Sequence, residues 1–345
     1  MRNSVKDLVR KNILNLAPYS SARDEYEGTE GVFLDANENP FGTYNRYPDP
    51  QQNELKARLA EIKNVKASQI FLGNGSDEVI DLAFRIFCEP NIDKALTFTP
   101  TYGMYEVSSN INSVELINVP LNKDFQIDRN SVETYFSDEN LKLIFICSPN
   151  NPSGNLIQSA NIEFILENFN GIVIIDEAYV DFCPEATFAE KLAKYPNLII
   201  SQTLSKAWGL AGLRLGIALM NEELLSFYNK VKAPYNISSV NQQVALETLN
   251  KTEEFQENVE TILTEKSRLI QELQMIKLVK KIYPSDANFL LVEVENANEI
   301  YSQLIAQQII IRNRNSVVEN CVRITIGTSA ENKKLINALK TLSNG

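Results

Sequence analysis

Lys206 is the side chain best placed for chemistry, in the stretch SQTLSKAWGLAGLRLG. Apolar runs predicted as strands flank it at 197–201 and 213–220, and the small residues and glycines between them indicate a tight turn. A lysine on a tight turn at a strand end, flanked in sequence by Ser205 and Arg214, is expected to be partly buried beside another cation. Such an amine loses its proton readily and forms imines with carbonyl compounds. The stretch therefore predicts an amine nucleophile, with a solvated loop lysine as the alternative.

The chain has 345 residues and contains no histidine. This composition excludes Ser-His-Asp and Cys-His catalysis, histidine-ligated zinc and a histidine general base. Acid–base work near neutral pH must therefore fall to Lys, Tyr, Asp or Glu, or to a cofactor.

Composition indicates a two-domain protein of the cytoplasm. A hydrophobic content of 44% is enough for a large core, and the net charge of −11 argues against a nucleic-acid partner. The N-terminal residues lack the apolar centre of a signal peptide, and no apolar run reaches membrane-spanning length. The four cysteines form no CxxC pair and lie in or beside apolar runs, which favours reduced core thiols over a metal site.

Apolar runs alternate with helical or polar segments through much of the chain. The runs predicted as strands are 69–72, 94–98, 114–119, 142–147, 172–176, 197–201 and 213–220. Several are apolar at every position, as expected for a mainly parallel sheet covered by helices on both faces. Ligands bind such sheets beyond the carboxyl ends of the strands. The candidate residues that fall there are Gly75, Ser76, Tyr102, Asn151, Asp176 and Lys206.

The turn before residue 76 is a candidate phosphate site. A short apolar strand ends at Gly73-Asn74-Gly75; Ser76 is a good N-cap, and Asp77 falls in the first helical turn. Free N–H groups at a helix N-terminus bind phosphate well. An ordinary strand–helix connection is the alternative.

Asp176 ends the apolar run in IVIIDEAYVDF, and Tyr179 follows three positions later. A buried carboxylate requires a cation or donors, and a protonated pyridine nitrogen would supply one. In SPNNPSGN, Asn151 precedes proline and is held extended, which aims its amide into the strand-end cleft. A capping aspartate and a simple turn are the alternatives.

Arginines inside apolar strands are candidates for binding anions, because guanidinium groups pair bidentately with phosphate or carboxylate. Arg214 starts one such strand, Arg323 lies in VRITI, and Arg312 lies in IIIRNR. Arg314 is predicted to be exposed on the surface.

The chain changes character after residue 230. A Pro/Asn/Ser break precedes a long helical stretch, 239–281, and then strand 288–294, helix 297–307, strands 309–312 and 321–326, and a final helix. This order predicts a smaller α+β domain. The predicted divisions are 1–41, an N-terminal arm and part of the small domain, which includes a strand in GVFLDAN; 42–235, a large domain that binds the cofactor; and 236–345, the small C-terminal domain.

A lysine, a strand-end carboxylate and a phosphate cradle are together what pyridoxal phosphate requires. The sequence also resembles the fold-type-I pyridoxal-phosphate aminotransferases along nearly the whole chain. The matching stretches are LDANENPFG, NRYPDPQ, GNGSDE, PTYGMY, CSPNNPSGN, IDEAYVDF, TLSKAWGLAGLRLG, KAPYN, SDANFLLV and VRITIGT. Within that family, NRYPDP and TLSKAWGLAGLRLG are most similar to the histidinol-phosphate aminotransferases.

The resemblance implies a role for each residue around the cofactor ring. Lys206 would hold pyridoxal phosphate as an internal aldimine and then move the proton between substrate and cofactor carbons. Asp176 would pair with the pyridine nitrogen. Tyr179 and Asn151 would bond the ring oxygen, and Tyr102 would stack on the ring.

The resemblance also implies how anionic groups are held. The residues implied for the cofactor phosphate are Gly75, Ser76, Asp77, Ser205 and Arg214. Tyr47 would reach this phosphate from the neighbouring subunit, which implies a homodimer with shared active sites. Arg312 and Arg323 would grip the substrate's phosphate or carboxylate, Asn151 would face the substrate, and Tyr19 would add a contact from the N-terminal arm.

The implied reaction is transamination between L-histidinol phosphate and 2-oxoglutarate, giving imidazole-acetol phosphate and L-glutamate. An aromatic-amino-acid aminotransferase or a threonine-phosphate decarboxylase is the alternative within the family, because the pocket lining carries no motif. A pyridoxal-phosphate-binding regulator without turnover is an alternative of another class. The chain lacks the basic DNA-binding segment expected of such a regulator.

Overall fold

Two β-sheets organise the chain in the computed structural model, which describes residues 4–19, 22 and 31–344. The helices are α1 Val5–Leu8, α2 Lys11–Leu14, α3 Asn53–Lys63, α4 Ser76–Phe87, α5 Met104–Ile111, α6 Arg129–Glu133, α7 Ser159–Asn168, α8 Glu222–Val231, α9 Ser239–Leu249, α10 Thr252–Gln274, α11 Ala297–Ala306 and α12 Ser329–Asn344. The strands are β1 Ile70–Asn74, β2 Lys94–Thr99, β3 Glu115–Pro120, β4 Leu141–Cys147, β5 Ile172–Asp176, β6 Leu198–Thr203, β7 Leu215–Met220, β8 Val279–Ile282, β9 Phe289–Val294, β10 Arg312–Asn313 and β11 Cys321–Thr325.

The larger sheet has seven strands in the order β1-β7-β6-β5-β4-β2-β3. Strands β3, β2, β4, β5 and β6 pair in parallel, and β7 pairs antiparallel with both β6 and β1. Only β7 therefore runs against the other six. The mainly parallel sheet predicted from the continuous apolar runs is confirmed.

The central strands are apolar at every position because each sheet face is covered by its own core. In β4, Ile144 and Ile146 belong to one buried cluster, while Leu143 and Phe145 belong to the cluster on the opposite face. Side chains alternate across a strand, so a strand buried on both faces has no polar position to reveal its period.

The smaller sheet has four strands in the order β10-β11-β9-β8, all antiparallel. Its core combines strand residues with the apolar sides of α10, α11 and α12. This is the predicted α+β unit. Helix α9 packs instead into a core of the larger sheet, through Ala245 and Leu249. The predicted domain boundaries stay a prediction, and parts of the 1–41 arm lie outside the described residues.

Two predicted elements differ from the structure. Residues 31–37, predicted to contain a strand, form none in the structure. The apolar side chains Val32 and Leu34 are 89% and 88% exposed, because no neighbouring strand in the described chain covers them. The helical stretch predicted over 239–281 is interrupted at residues 250–251 and ends in β8. Strand β8 is a short strand at the edge of the sheet and carries two lysines. Lysines on an edge strand discourage pairing with another chain, but they also remove the alternation of apolar and polar residues that would predict a strand.

The carboxyl ends of β4, β5 and β6 lie side by side, next to the turn between β1 and α4 and the start of β7. The fold thus brings together segments distant in sequence at one edge of the larger sheet. None of the helices in the described parts of the chain is both long and apolar enough to cross a membrane.

Candidate active site

A small pocket of about 90 Å³ lies at this edge of the sheet. Its lining includes every residue predicted to bind the cofactor except Tyr47: Gly75, Ser76, Asp77, Tyr102, Asn151, Asp176, Tyr179, Ser205, Lys206 and Arg214. Cys147, Ala178 and Thr203 also line it and were not predicted. The fold therefore assembles the residues that the sequence singled out, although their individual roles remain predictions.

Lys206 lies on a tight turn that links β6 to β7. The Leu210 N–H donates a hydrogen bond to the Leu204 carbonyl across the base of this turn, at 3.0 Å. Within the turn, the Gly209 N–H donates to the Lys206 carbonyl at 3.1 Å. The side chain is open to the pocket, with its Nζ 5.7 Å from the centre of the Tyr179 ring. Partial desolvation, followed by the positive charge of Arg323, lowers the pKa of Lys206, which raises the fraction of neutral amine.

Asp176 is buried at the end of β5, with 2% of its surface exposed. Its Oδ2 accepts a hydrogen bond from the Tyr105 hydroxyl at 2.8 Å, and its Oδ1 accepts from the Ala178 N–H at 3.1 Å. Burial raises the pKa of Asp176 to about 6, although both hydrogen bonds oppose the shift. The carboxylate is therefore oriented but lacks a full counter-charge.

Tyr105 is a positioning residue that sequence reasoning missed. It lies in PTYGMY, where only Tyr102 received a role, and it is completely buried in α5. Burial raises the pKa of Tyr105 well above its ordinary value, so its hydroxyl remains a donor to Asp176. The motif carried a second tyrosine, but only the packing of α5 on the sheet shows where it points.

A chain of hydrogen bonds links the two sheets across the pocket. Arg323 on β11 donates through Nη1 to Asn151 Oδ1 at 2.6 Å, and Asn151 Nδ2 donates to the Tyr179 hydroxyl oxygen at 3.3 Å. Phe289 supports this chain: its ring packs edge-on to Tyr179 at 5.0 Å, and the Arg323 guanidinium lies 5.2 Å from its centre. The predicted pair Asn151 and Tyr179 is thus in contact.

The predicted phosphate cradle lies at the start of α4. Gly75 has φ +75°, and its N–H donates to the carbonyl of Arg214 at 2.9 Å. A Cβ on Gly75 would come within 2.7 Å of Arg214 Nη2, and one on Gly216 would come within 2.2 Å of the Gly75 carbonyl carbon. Only glycines therefore allow this close approach, which leaves the first N–H groups of α4 facing the pocket beside a guanidinium.

Asp77 lies between two other predicted residues at the mouth of the cradle. Its Oδ2 is 3.3 Å from Arg214 Nη2, and its Oδ1 accepts from the Tyr102 hydroxyl at 3.0 Å. Thr203 orders the neighbouring turn, because its Oγ1 accepts from the Ser205 N–H at 3.1 Å.

These residues fit pyridoxal phosphate on three observations. The cradle of glycines and helix N–H groups admits a phosphate where no side chain could lie. The buried carboxylate of Asp176 is incompletely neutralised and could pair with a cation such as a protonated ring nitrogen. The amine of Lys206, whose pKa is lowered, lines the same pocket. Among the described residues, no cluster of acidic or cysteine side chains has the arrangement of a metal site.

A larger cleft of about 980 Å³ adjoins the pocket and shares Tyr102, Asn151, Tyr179 and Lys206 with it. The cationic side chains lining this cleft are Lys206, Arg312, Arg314 and Arg323, and the acidic one is Glu106. The expectation that Arg314 is exposed on the surface is wrong: it is half-buried and faces the cleft. The cleft is thus a local positive site on an acidic protein, suited to anions.

The two remaining predicted tyrosines do not line either cavity in the described chain. Tyr47 is half exposed and stacks on Tyr235, with ring centres 4.3 Å apart. Tyr19 is 71% exposed. Tyr47 was expected to act on a neighbouring subunit, so its role and that of Tyr19 stay predictions.

The chain belongs to the aminotransferase class I and II family, whose sequence model matches residues 14–339. It is 52% identical to the histidinol-phosphate aminotransferase of Parabacteroides distasonis, with 98% of this chain and 99% of that relative covered. It is 49% identical to the histidinol-phosphate aminotransferase of Cytophaga hutchinsonii, over 99% of this chain and 100% of the relative.

Solved structures agree in fold. The histidinol-phosphate aminotransferase of Clostridium acetobutylicum matches with a TM-score of 0.81 at 27% identity, covering 87% of this chain and 91% of that one. The enzyme of Sinorhizobium meliloti, solved in complex with pyridoxal-5'-phosphate, matches with a TM-score of 0.79 at 23% identity, covering 90% and 89%. The family and fold implied by the sequence motifs are therefore confirmed.

Proposed function

We propose that this protein is a pyridoxal-phosphate-dependent transaminase that interconverts L-histidinol phosphate and 2-oxoglutarate with imidazole-acetol phosphate and L-glutamate. The observation that carries the proposal is the meeting of Lys206 and buried Asp176 in one pocket, beside a cleft lined by three arginines. Relatives of about 50% identity over nearly the whole chain support the choice of substrate.

The chain's own residues supply binding, orientation and proton transfer. When bound, pyridoxal phosphate supplies an aldehyde for amine exchange and an electron-accepting ring. Lys206 holds the cofactor through its amine and carries the proton at the substrate carbon, tasks favoured by its lowered pKa. Asp176, oriented by Tyr105, holds a proton on the ring nitrogen. The Asn151–Tyr179 pair holds the ring oxygen.

One site must accept both a dicarboxylate and a phosphomonoester. The arginines of the cleft supply cations for the two anions: Arg312 is exposed, whereas Arg323 donates a hydrogen bond to Asn151. Guanidinium groups bind carboxylate and phosphate with the same bidentate geometry, so one set of side chains can serve both substrates.

A substrate screen of the purified holoenzyme tests the proposal. L-Histidinol phosphate with 2-oxoglutarate is expected to give the highest kcat/KM, measured as glutamate formed. L-Phenylalanine and L-threonine phosphate are the comparison substrates, the latter assayed also for released carbon dioxide. Higher activity with either comparison substrate would replace the proposal by the corresponding family alternative, and cofactor binding without any amino transfer would favour a regulator.

We also propose a homodimer in which Tyr47 completes the neighbouring subunit's phosphate site. Tyr47 is half exposed, stacks on Tyr235 and does not line the pocket of its own chain, so it is available to a neighbouring subunit. In a two-fold symmetric dimer, a residue of one subunit that contacts a site on its partner is matched by the same contact in the opposite direction.

Mixing two inactive variants tests the shared site. Tyr47→Ala and Lys206→Ala homodimers are each expected to be impaired, whereas their heterodimer contains one site with both groups intact. Random reassortment should then restore roughly a quarter of wild-type activity, because half of the dimers are mixed and each has one complete site. Activity no higher than that of the two parents would place Tyr47 in the site of its own chain or outside it.

Location in the cytoplasm is part of the same proposal. All four cysteines are buried as free thiols, a state that a reducing compartment maintains. Burial raises the pKa of Cys88 and Cys147, which keeps them protonated and unreactive.

A further inference from the structure

The hairpin of β10 and β11 places three arginines on one face. Arg312 lies directly opposite Arg323 in the antiparallel register. The Arg314 N–H donates to the Cys321 carbonyl at 2.9 Å, which continues the pairing by two residues. Side chains two apart on a strand share a face, so Arg314 lies on the same side as the opposed pair. Like charges this close destabilise a sheet unless an anion lies between them.

Arg314 faces the cleft, and no carboxylate in the described part of the chain forms an ion pair with it. Among the described residues, the Nε atoms of Arg314 and Arg323 are both buried without a hydrogen-bond partner. Neither arginine takes part in an ion pair within the described chain, and Glu106 is the acidic side chain lining the same cleft. Burial, then Arg323 and Arg312, lowers the pKa of Arg314. A partly buried, unpaired guanidinium in such surroundings is suited to bind an anionic ligand.

The backbone around Arg314 is fixed before any ligand binds. Its carbonyl accepts hydrogen bonds from the N–H groups of Val317 and Val318, both at 2.9 Å. Asn315 braces the turn: its N–H donates to Asn313 Oδ1 at 2.9 Å, and its Oδ1 accepts from the Asn320 N–H at 2.7 Å. Because this turn is already ordered, ligand binding does not have to offset the conformational entropy of ordering the loop. The interaction of Arg314 with a ligand can therefore contribute fully to binding.

The position of Arg314 separates its ligand from the cofactor's phosphate. Arg214 and the start of α4 line the small pocket, whereas Arg314 lines only the larger cleft. Arg323 reaches Asn151 at the border between the two cavities, next to Lys206. A substrate whose reacting amine lies at Lys206 would therefore place its far end towards Arg314.

We propose that Arg314 is a specificity-determining residue, which binds the dianionic phosphate of the phosphomonoester substrate and selects it over uncharged and carboxylate-bearing analogues. The inference rests on the proposed function and assigns one residue to its phosphate group. A phosphate dianion carries two charges and three acceptor oxygens, so it gains more than a carboxylate from a guanidinium added to the Arg312–Arg323 pair.

The test compares Arg314→Gln and Arg314→Lys with the control Arg268→Gln, which removes an exposed arginine on α10. For Arg314→Gln, kcat/KM for L-histidinol phosphate should fall about 10- to 100-fold, mainly through KM. The half-reaction with L-glutamate and the reaction with unphosphorylated L-histidinol should change less than about threefold. Arg314→Lys should be intermediate, and Arg268→Gln should match wild type.

Two results would overturn the inference. An equal loss with L-glutamate, L-histidinol and L-histidinol phosphate would make Arg314 a general structural residue. An unchanged KM for L-histidinol phosphate would place the phosphate elsewhere. If wild type does not turn over L-histidinol phosphate, the proposed function fails instead. Inorganic phosphate then decides the inference: it should raise the melting temperature of the wild-type holoenzyme more than that of Arg314→Gln, and equal shifts would reject it.

Discussion

Replacing Lys206 by alanine is expected to remove the visible absorption band that arises from the bond between the lysine and the cofactor, and to reduce turnover by more than about 10⁴-fold. In the proposed roles, Lys206 both holds the cofactor through its amine and carries the substrate proton, and the substitution removes both functions. The other titratable side chains lining the pocket include Asp176, which accepts a hydrogen bond from Tyr105 and is assigned to the ring nitrogen, and Tyr179, whose pKa is raised by burial. Asp176 is engaged at the other side of the proposed ring and Tyr179 keeps its proton near neutral pH, so we expect neither to replace the lysine.

The measurement combines an absorption spectrum with a single-turnover assay. Lys277→Ala, which removes an exposed lysine just beyond α10, is the matched control and should behave as wild type. Added methylamine should restore part of the single-turnover rate in Lys206→Ala, because a small free amine can carry the proton in a site that is otherwise intact. Turnover within tenfold of wild type without added amine would contradict the assigned role.

Replacing Asp176 by asparagine is expected to reduce kcat about 10²- to 10⁴-fold, with a smaller effect on KM. Asparagine preserves the shape of the side chain and can still bond Tyr105 and the Ala178 N–H. It cannot stabilise a positive charge on the ring nitrogen. Asp124→Asn, at an exposed loop carboxylate, is the control. Full activity in Asp176→Asn would show that the carboxylate charge is not needed.

The same substitution is expected to stabilise the cofactor-free protein above pH 6. Burial raises the pKa of Asp176 from 3.8 to about 6, so the native state holds this proton more tightly than the unfolded chain. The stability associated with the protonated carboxyl is complete below pH 3.8 and is lost as the pH rises through about 6. The shift corresponds to about 3 kcal/mol.

Urea unfolding of the cofactor-free proteins at pH 4.5 and 7.5 measures this effect. Asp176→Asn should exceed wild type in unfolding free energy by up to about 3 kcal/mol at pH 7.5, and the difference should shrink towards pH 4.5. Saturating cofactor should reverse the order at pH 7.5, because the wild-type carboxylate then gains its cation. A cofactor-free wild type that is the more stable at pH 7.5 would contradict the burial argument.

The sequence alone determined the chemistry and its location along the chain. Lys206, Asp176 and the turn before Ser76 each lie where a continuous apolar strand meets a turn, and parallel strands present those ends at one edge. Such positions can be predicted because apolar runs, turn residues and helix caps are all defined by residues that are close together in the sequence. The mainly parallel sheet and the smaller α+β unit were predictable for the same reason.

Only the tertiary structure decided which distant groups act on those residues. Tyr105 reaches Asp176 across 71 positions, and Arg323 reaches Asn151 across 172. The predicted surface position of Arg314 is wrong. Arg314 lies just beyond β10, which has only two residues, and so short a strand carries almost no periodic signal. Its place on the cleft face follows from the register of β10 against β11, which long-range hydrogen bonds establish and no local pattern of residues records.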